Sequence, residues 1–149
     1  MAENLHATAL VVGDRGLLVT GASGSGKTIL ALMLVDRARR RGGHGAFVSD
    51  DRVLLEQAGG RIVARAPATI AGLAEYRGPG PLPVGHVGDS VIDGMVELVA
   101  AGHAPRLEDQ PRKSLLDVSL ARLRLASGDP AAAAIAVEAW IANGFQVAG

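Results

Sequence analysis

The sequence predicts an α/β fold in one domain spanning residues 1–149, on three observations. Short β-rich apolar runs alternate with two stretches of helical periodicity. A glycine-rich octapeptide stands between the second apolar run and the first helical stretch. The chain has 149 residues, enough for one sizeable core, and carries no internal repeat and no domain-sized linker.

The elements follow in chain order. Residues 9–12 and 16–20 are short apolar runs separated by Gly13-Asp14-Arg15, a spacing that predicts a tight hairpin. From residue 27 to about 41, Ile29, Leu30, Leu32, Met33, Leu34 and Ala38 suit an amphipathic helix. Its arginine-rich end sits at the negative pole of the helix dipole, and Gly42-Gly43 stops it. Residues 46–48 form a short buried strand ending in Ser49-Asp50-Asp51. Gly59-Gly60 then joins two more strands, residues 53–56 and 61–66. Residues 78–83, with three prolines and two glycines, read as a loop. Residues 91–100 are apolar and compatible with strand or helix. Residues 120–125 alternate Leu with Arg, as a half-exposed strand would. Ser127 or Asp129 caps a last helix from residue 130 to about 142, with Pro130 in its first turn.

Composition removes several function classes. Lys plus Arg and Asp plus Glu are 15 each, so the chain lacks the basic surplus that non-specific nucleic-acid binding needs. Aromatic residues are 3%, too few for base-stacking platforms. The absence of Cys excludes disulfides, thiolate metal sites and a Cys nucleophile. No apolar stretch approaches the ~20 residues that span a bilayer. The first eight residues lack the pattern of a signal peptide. The expectation is a soluble, cytoplasmic protein that binds neither nucleic acid nor membrane.

Gly21-Ala22-Ser23-Gly24-Ser25-Gly26-Lys27-Thr28 satisfies G-x-x-x-x-G-K-[ST] in full, between an apolar strand and an amphipathic helix. Glycines let backbone N–H groups curl around phosphate oxygens, and the helix N-terminus adds its positive pole. Lys27 would neutralise the β- and γ-phosphates of ATP, and the Thr28 hydroxyl would ligate Mg²⁺. The motif leaves the phosphoryl acceptor open.

Asp50-Asp51 closes the strand after that helix. In a parallel sheet this places the pair at the ligand crevice, where one carboxylate serves the metal and the other accepts a proton. The plainer reading is a solvated polar turn. His6, a surface residue on its own, becomes relevant if the hairpin returns it beside the aspartates. Glu75 and Arg77 point the same way if extended, one toward Mg²⁺ and one toward a transferring phosphoryl group. The alternative is a surface ion pair. His44, His86 and His103 have no metal-ligand spacing and read as structural or exposed.

Taken as an ordered set, these motifs resemble the catalytic domain of the HPr kinase/phosphorylases. They are His6 fifteen residues before Gly21, "VSDD" at residues 48–51, and "AEYRGPG" with its Glu-x-Arg-Gly. The resemblance covers about residues 5–100 and is similar to a short form without the family's N-terminal domain. It implies a P-loop domain of the HPr kinase/phosphoenolpyruvate carboxykinase-like type. The implied activity is ATP-dependent phosphorylation of a serine of the phosphocarrier protein HPr, with the reverse reaction using phosphate and releasing pyrophosphate. It also implies Asp51 as proton acceptor and donor, His6 as its assistant, Lys27 on the phosphates, Thr28 and Glu75 as Mg²⁺ ligands and Asp50 near the metal's waters. Arg77 belongs to the signature serving both directions, and the family's assembly implies a homo-hexamer. Three stretches differ from the family pattern: "RARRRGGHG" lengthens the segment from Lys27 to Asp50, "RGPGPLPV" is less apolar, and Asp129 stands where a basic residue is expected. Two other classes fit the bare motif, a P-loop kinase of a small metabolite and a nucleotide-binding regulatory module without rapid turnover.

Overall fold

A computed structural model describes residues 2–148. The strands are β1 (Glu3–Leu5), β2 (Ala7–Val12), β3 (Arg15–Gly21), β4 (Gly45–Ser49), β5 (Val53–Ala58) and β6 (Arg61–Arg65), with helix α1 (Lys27–Arg40) between β3 and β4. They continue as β7 (Leu73–Tyr76), β8 (Gly80–Pro83), β9 (Asp89–Ile92), β10 (Gly94–Val99), β11 (Arg112–Leu115) and β12 (Val118–Ala126), followed by helix α2 (Pro130–Ala142).

A six-stranded sheet in the order β11-β12-β10-β3-β2-β4 forms the centre. One face packs on both helices: Leu10, Leu17, Val19, Phe47 and Val96 meet Leu30, Leu34, Val137 and Trp140. The other face packs on a four-stranded sheet, β1-β5-β6-β9, where Ala9, Val11, Leu18 and Val48 meet Val53, Leu55, Ile62 and Ile92. Alternate residues of β2 and β3 therefore enter different cores. Strands covered on both faces need apolar residues on both, which is why these runs are nearly continuous in sequence.

The sheet is mixed, which corrects the parallel arrangement expected from the sequence. β10 runs parallel to β3 and β12, but β2 lies antiparallel between β3 and β4 because a tight hairpin joins β2 to β3. β3, β4, β10 and β12 still end at one edge, and the start of β2 lies there too. Residues 91–100 resolve into two strands rather than one element. Asp93 makes the corner, accepting from the Gly16 N–H at 2.8 Å and from Arg61 at 2.8 Å.

The loop expected at residues 78–83 is instead half of a ribbon, β7 paired with β8. The Val84 N–H donates to the Gly72 carbonyl, so residues of its parity in β8, Gly80 and Leu82, also face β7. Pro81 and Pro83, lacking an N–H, point to the free edge where none is needed. A second correction concerns β12. Arg122 is buried, not half-exposed, and bonds Glu97 and the Gln110 carbonyl. Beside it Arg124 holds the buried Glu108. Burial pushes the Glu108 carboxyl up, but the Arg124 hydrogen bonds outweigh it and hold the group at about 2.

Asp129 caps α2, accepting from the Ala132 N–H at 3.1 Å. Arg37 and Arg41 at the end of α1 both bond Glu138 of α2, which ties the helices together. Burial raises the Glu138 carboxyl, but these arginines bring it below the ordinary value. No helix among the described residues is long and apolar enough to cross a membrane.

Candidate active site

The glycine-rich segment leaves the end of β3 and enters α1 at Lys27, bordering a cleft of about 1400 Å³. The far walls are the β7–β8 ribbon and residues 126–130 before and at the start of α2. The backbone explains the glycines. Gly26, the residue before the helix, has φ 101°, a left-handed conformation that a side chain disfavours. A Cβ on Gly21 would lie 2.5 Å from Ser25 Oγ and 3.0 Å from the Leu98 carbonyl oxygen, so only glycine lets the loop close against β10. Lys27 is 5% exposed and its ammonium donates to the carbonyls of Gly21 and Ala22 at 3.0 and 3.2 Å. The Ser25 hydroxyl is buried without a hydrogen-bond partner. Gly21 to Thr28 thus form a cradle already bent, with its cation in place and one spare buried hydroxyl.

The two aspartates diverge as they leave β4. Asp50 is 5% exposed and accepts three hydrogen bonds, each of 2.8 Å. Its Oδ1 takes the hydroxyls of Thr8 and Thr28, and its Oδ2 takes the backbone N–H of Glu75. Asp51 turns outward with φ 65°, and its exposed carboxylate lies 2.6 Å from His6 Nε2. A non-glycine residue in this region marks a constrained backbone.

Of the residues expected from the sequence, Ser23 to Thr28, Asp51, Glu75 and Arg77 all border the one cleft. His6 reaches it through Asp51 because β2 begins at the same sheet edge. Arg77 lies in the turn after β7, so it and Glu75 do not share a strand face as the extended reading required. They are not joined in an ion pair; both are exposed along the cleft. Sequence reasoning missed Thr8, which reads as one polar position inside a core strand yet is fully buried against Asp50.

The donor set fits a hard divalent cation. Among the described residues no three His, Asp or Glu side chains gather as a protein-only cage. A threonine hydroxyl backed by a buried carboxylate, at a phosphate cradle, instead suits Mg²⁺, which keeps several waters and takes further oxygens from phosphates.

A preformed phosphate cradle, a buried hydroxyl-carboxylate pair and an exposed carboxylate-imidazole pair on one sheet edge define a P-loop domain equipped for phosphoryl-group chemistry. The chain belongs to the HPr Serine kinase C-terminal domain family, whose model matches residues 1–144. It is 36% identical over 80 residues to an HPr kinase/phosphorylase of Clostridium beijerinckii, across 54% of this chain and 24% of that protein. The match to the HPr kinase/phosphorylase of Mycoplasmopsis pulmonis has the same identity and extent. The aligned part is thus about a quarter of the curated relatives' length. Among solved structures, the Hpr(Ser) kinase/phosphatase from Coxiella burnetii superposes with a TM-score of 0.79 at 22% identity, covering 95% of each chain. That likeness shows the α/β fold.

Proposed function

We propose that this chain is an ATP-dependent serine kinase acting on the phosphocarrier protein HPr. The observation that carries the reading is the His6–Asp51 pair, 2.6 Å apart at the lip of the phosphate cradle. A phosphoryl transferase needs a cradle, charge neutralisation and one positioned base, and the Gly21–Gly26 backbone, Lys27 and Asp51 are the candidates for these roles. Support comes also from the family and from the names of the curated relatives.

In the forward direction, the backbone from Gly21 to Gly26 and the Lys27 ammonium bind the β- and γ-phosphates of ATP. Mg²⁺ would be held by Thr28 and Glu75, with Asp50 on its waters, and would offset charge on the phosphate oxygens. Asp51 accepts the proton of the acceptor serine as that oxygen bonds the γ-phosphorus and the bond to the β-phosphate oxygen breaks, leaving ADP. His6 orients Asp51, and Arg77 balances charge on the moving phosphoryl group. In reverse, an oxygen of inorganic phosphate attacks phosphoserine, pyrophosphate forms, and Asp51 returns the proton to the serine oxygen. The working unit is a cytoplasmic homo-oligomer, a hexamer by likeness to the family.

The test is incubation with Mg·ATP and purified HPr, followed by mass spectrometry of HPr. The expected result is one phosphoryl group on a serine, and pyrophosphate release when phosphoserine-HPr is given phosphate. Unmodified HPr with transfer to a metabolite, or ATP binding without turnover, would contradict the reading.

A further inference from the structure

We infer that Thr8 is a positioning residue that fixes the backbone of Asp51 and thereby aims its carboxylate at the acceptor hydroxyl. The inference rests on the reading of Asp51 as the base.

Thr8 is the second residue of β2 and wholly buried, yet its environment is not apolar. Its hydroxyl donates to Asp50 Oδ1 at 2.8 Å and accepts the Asp51 backbone N–H at 3.2 Å. One oxygen therefore joins both aspartates, the buried one through its side chain and the exposed one through its main chain. His6, two residues earlier, reaches the Asp51 carboxylate. His6 lies in the bend between β1 and β2, so two side chains within three residues of one another hold Asp51, Thr8 at its backbone and His6 at its carboxylate.

This grip has work to do. Asp51 sits at φ 65°, a left-handed conformation that aspartate tolerates better than most residues but still adopts in a minority of cases, so contacts that favour it matter. Neighbouring contacts account for the rest of the turn: the Arg52 N–H donates to the Asp50 carbonyl at 2.7 Å, and the Ser49 hydroxyl bonds the Arg52 carbonyl. Among the described residues, the Thr8 hydroxyl alone accepts the Asp51 N–H. Removing that hydroxyl leaves the N–H without its acceptor and frees the backbone to relax, which moves the carboxylate away from an in-line acceptor. A displacement of about 1 Å at a reacting group costs on the order of 100-fold in rate. The phosphate cradle is built by other residues, and without the Thr8 hydroxyl Asp50 keeps its Thr28 and Glu75 donors, so nucleotide affinity changes little.

The test compares Thr8→Val, close in shape without the hydroxyl, with Thr8→Ser, which keeps it. Thr8→Val should lower kcat for HPr phosphorylation by about 10- to 100-fold with KM for ATP within about twofold, and Thr8→Ser should restore most of the rate. Amide hydrogen exchange at Asp51 should accelerate in Thr8→Val and not in Thr8→Ser, while exchange in β4 stays unchanged. Equal losses in both variants would make Thr8 a packing residue and overturn the inference. A Thr8→Val protein with unchanged kcat and unchanged Asp51 exchange would overturn it too. If the unmodified chain transfers nothing to HPr, the kinase reading fails, and the Asp51 exchange contrast alone decides the hydrogen-bonding role of Thr8.

Discussion

Replacing Asp50 by Asn removes one charge and changes almost nothing in shape, so its effect isolates what the buried carboxylate does. The carboxylate accepts from Thr8 and Thr28 on Oδ1 and from the Glu75 N–H on Oδ2. An asparagine cannot reproduce this. With its carbonyl toward the two hydroxyls, its NH₂ faces the Glu75 N–H, donor against donor. Flipped, it satisfies Glu75, but the wholly buried Thr8 hydroxyl loses its acceptor. Either way one buried donor is stranded, at a cost of about 1–3 kcal/mol, and the remaining bonds lose their charge assistance. Neutralising a carboxylate that is 5% exposed works in the opposite direction. The balance is a loss of about 2 kcal/mol, which for a chain of this length lowers the melting temperature by roughly 4–8 °C. Thermal denaturation followed by circular dichroism, without nucleotide, measures it. An Asp50→Asn protein melting at or above the unmodified temperature would refute the reasoning, because desolvation of the charge would then outweigh its hydrogen bonds.

The Glu108–Arg124 pair predicts acid sensitivity. The folded carboxyl titrates at about 2, below its unfolded value, so the unfolded state binds more protons between the two. Its stabilisation is complete above about pH 4.5 and fades as the pH falls toward 2. Glu108→Gln should therefore melt several degrees below the unmodified protein at pH 7, with the gap closing near pH 2; a gap that ignores pH would refute the pairing. In the cradle, Gly21→Ala places a methyl 2.5 Å from Ser25 Oγ and 3.0 Å from the Leu98 carbonyl. Calorimetric titration should show ATP affinity reduced by about 5- to 150-fold, since overpacking of this kind costs about 1–3 kcal/mol. Unchanged affinity would mean that the loop has room to move.

The sequence-based reading succeeds where local chemistry dictates structure. Gly59-Gly60 turns between β5 and β6, Asp129-Pro130 starts α2, and the phosphate loop joins β3 to α1, each as its residues require. It fails where the long-range arrangement decides. Pro81 and Pro83 argue against a strand until it is known that both face a free edge. Residues 91–100 are mostly apolar although β9 and β10 serve different sheets, and the break at Asp93 depends on Gly16 and Arg61, distant in sequence. Arg122 looks solvated beside its alternating leucines, but Glu97 and Gln110 arrive from other segments to bury it. At the site, charged and glycine residues were legible because their chemistry is distinctive. Thr8 was not, since a threonine in a β-rich run is indistinguishable from a strand former until Asp50 is seen against it.

The most direct test of the account is phosphoryl transfer to HPr by Asp51→Asn alongside its ATP affinity. The substitution keeps the shape of a side chain exposed at the cleft and leaves the cradle intact. ATP should bind within about threefold of the unmodified protein, while transfer falls by about 100- to 10,000-fold, the range contributed by a positioned base. Transfer persisting within about tenfold of the unmodified rate would contradict the assignment of Asp51 as the base.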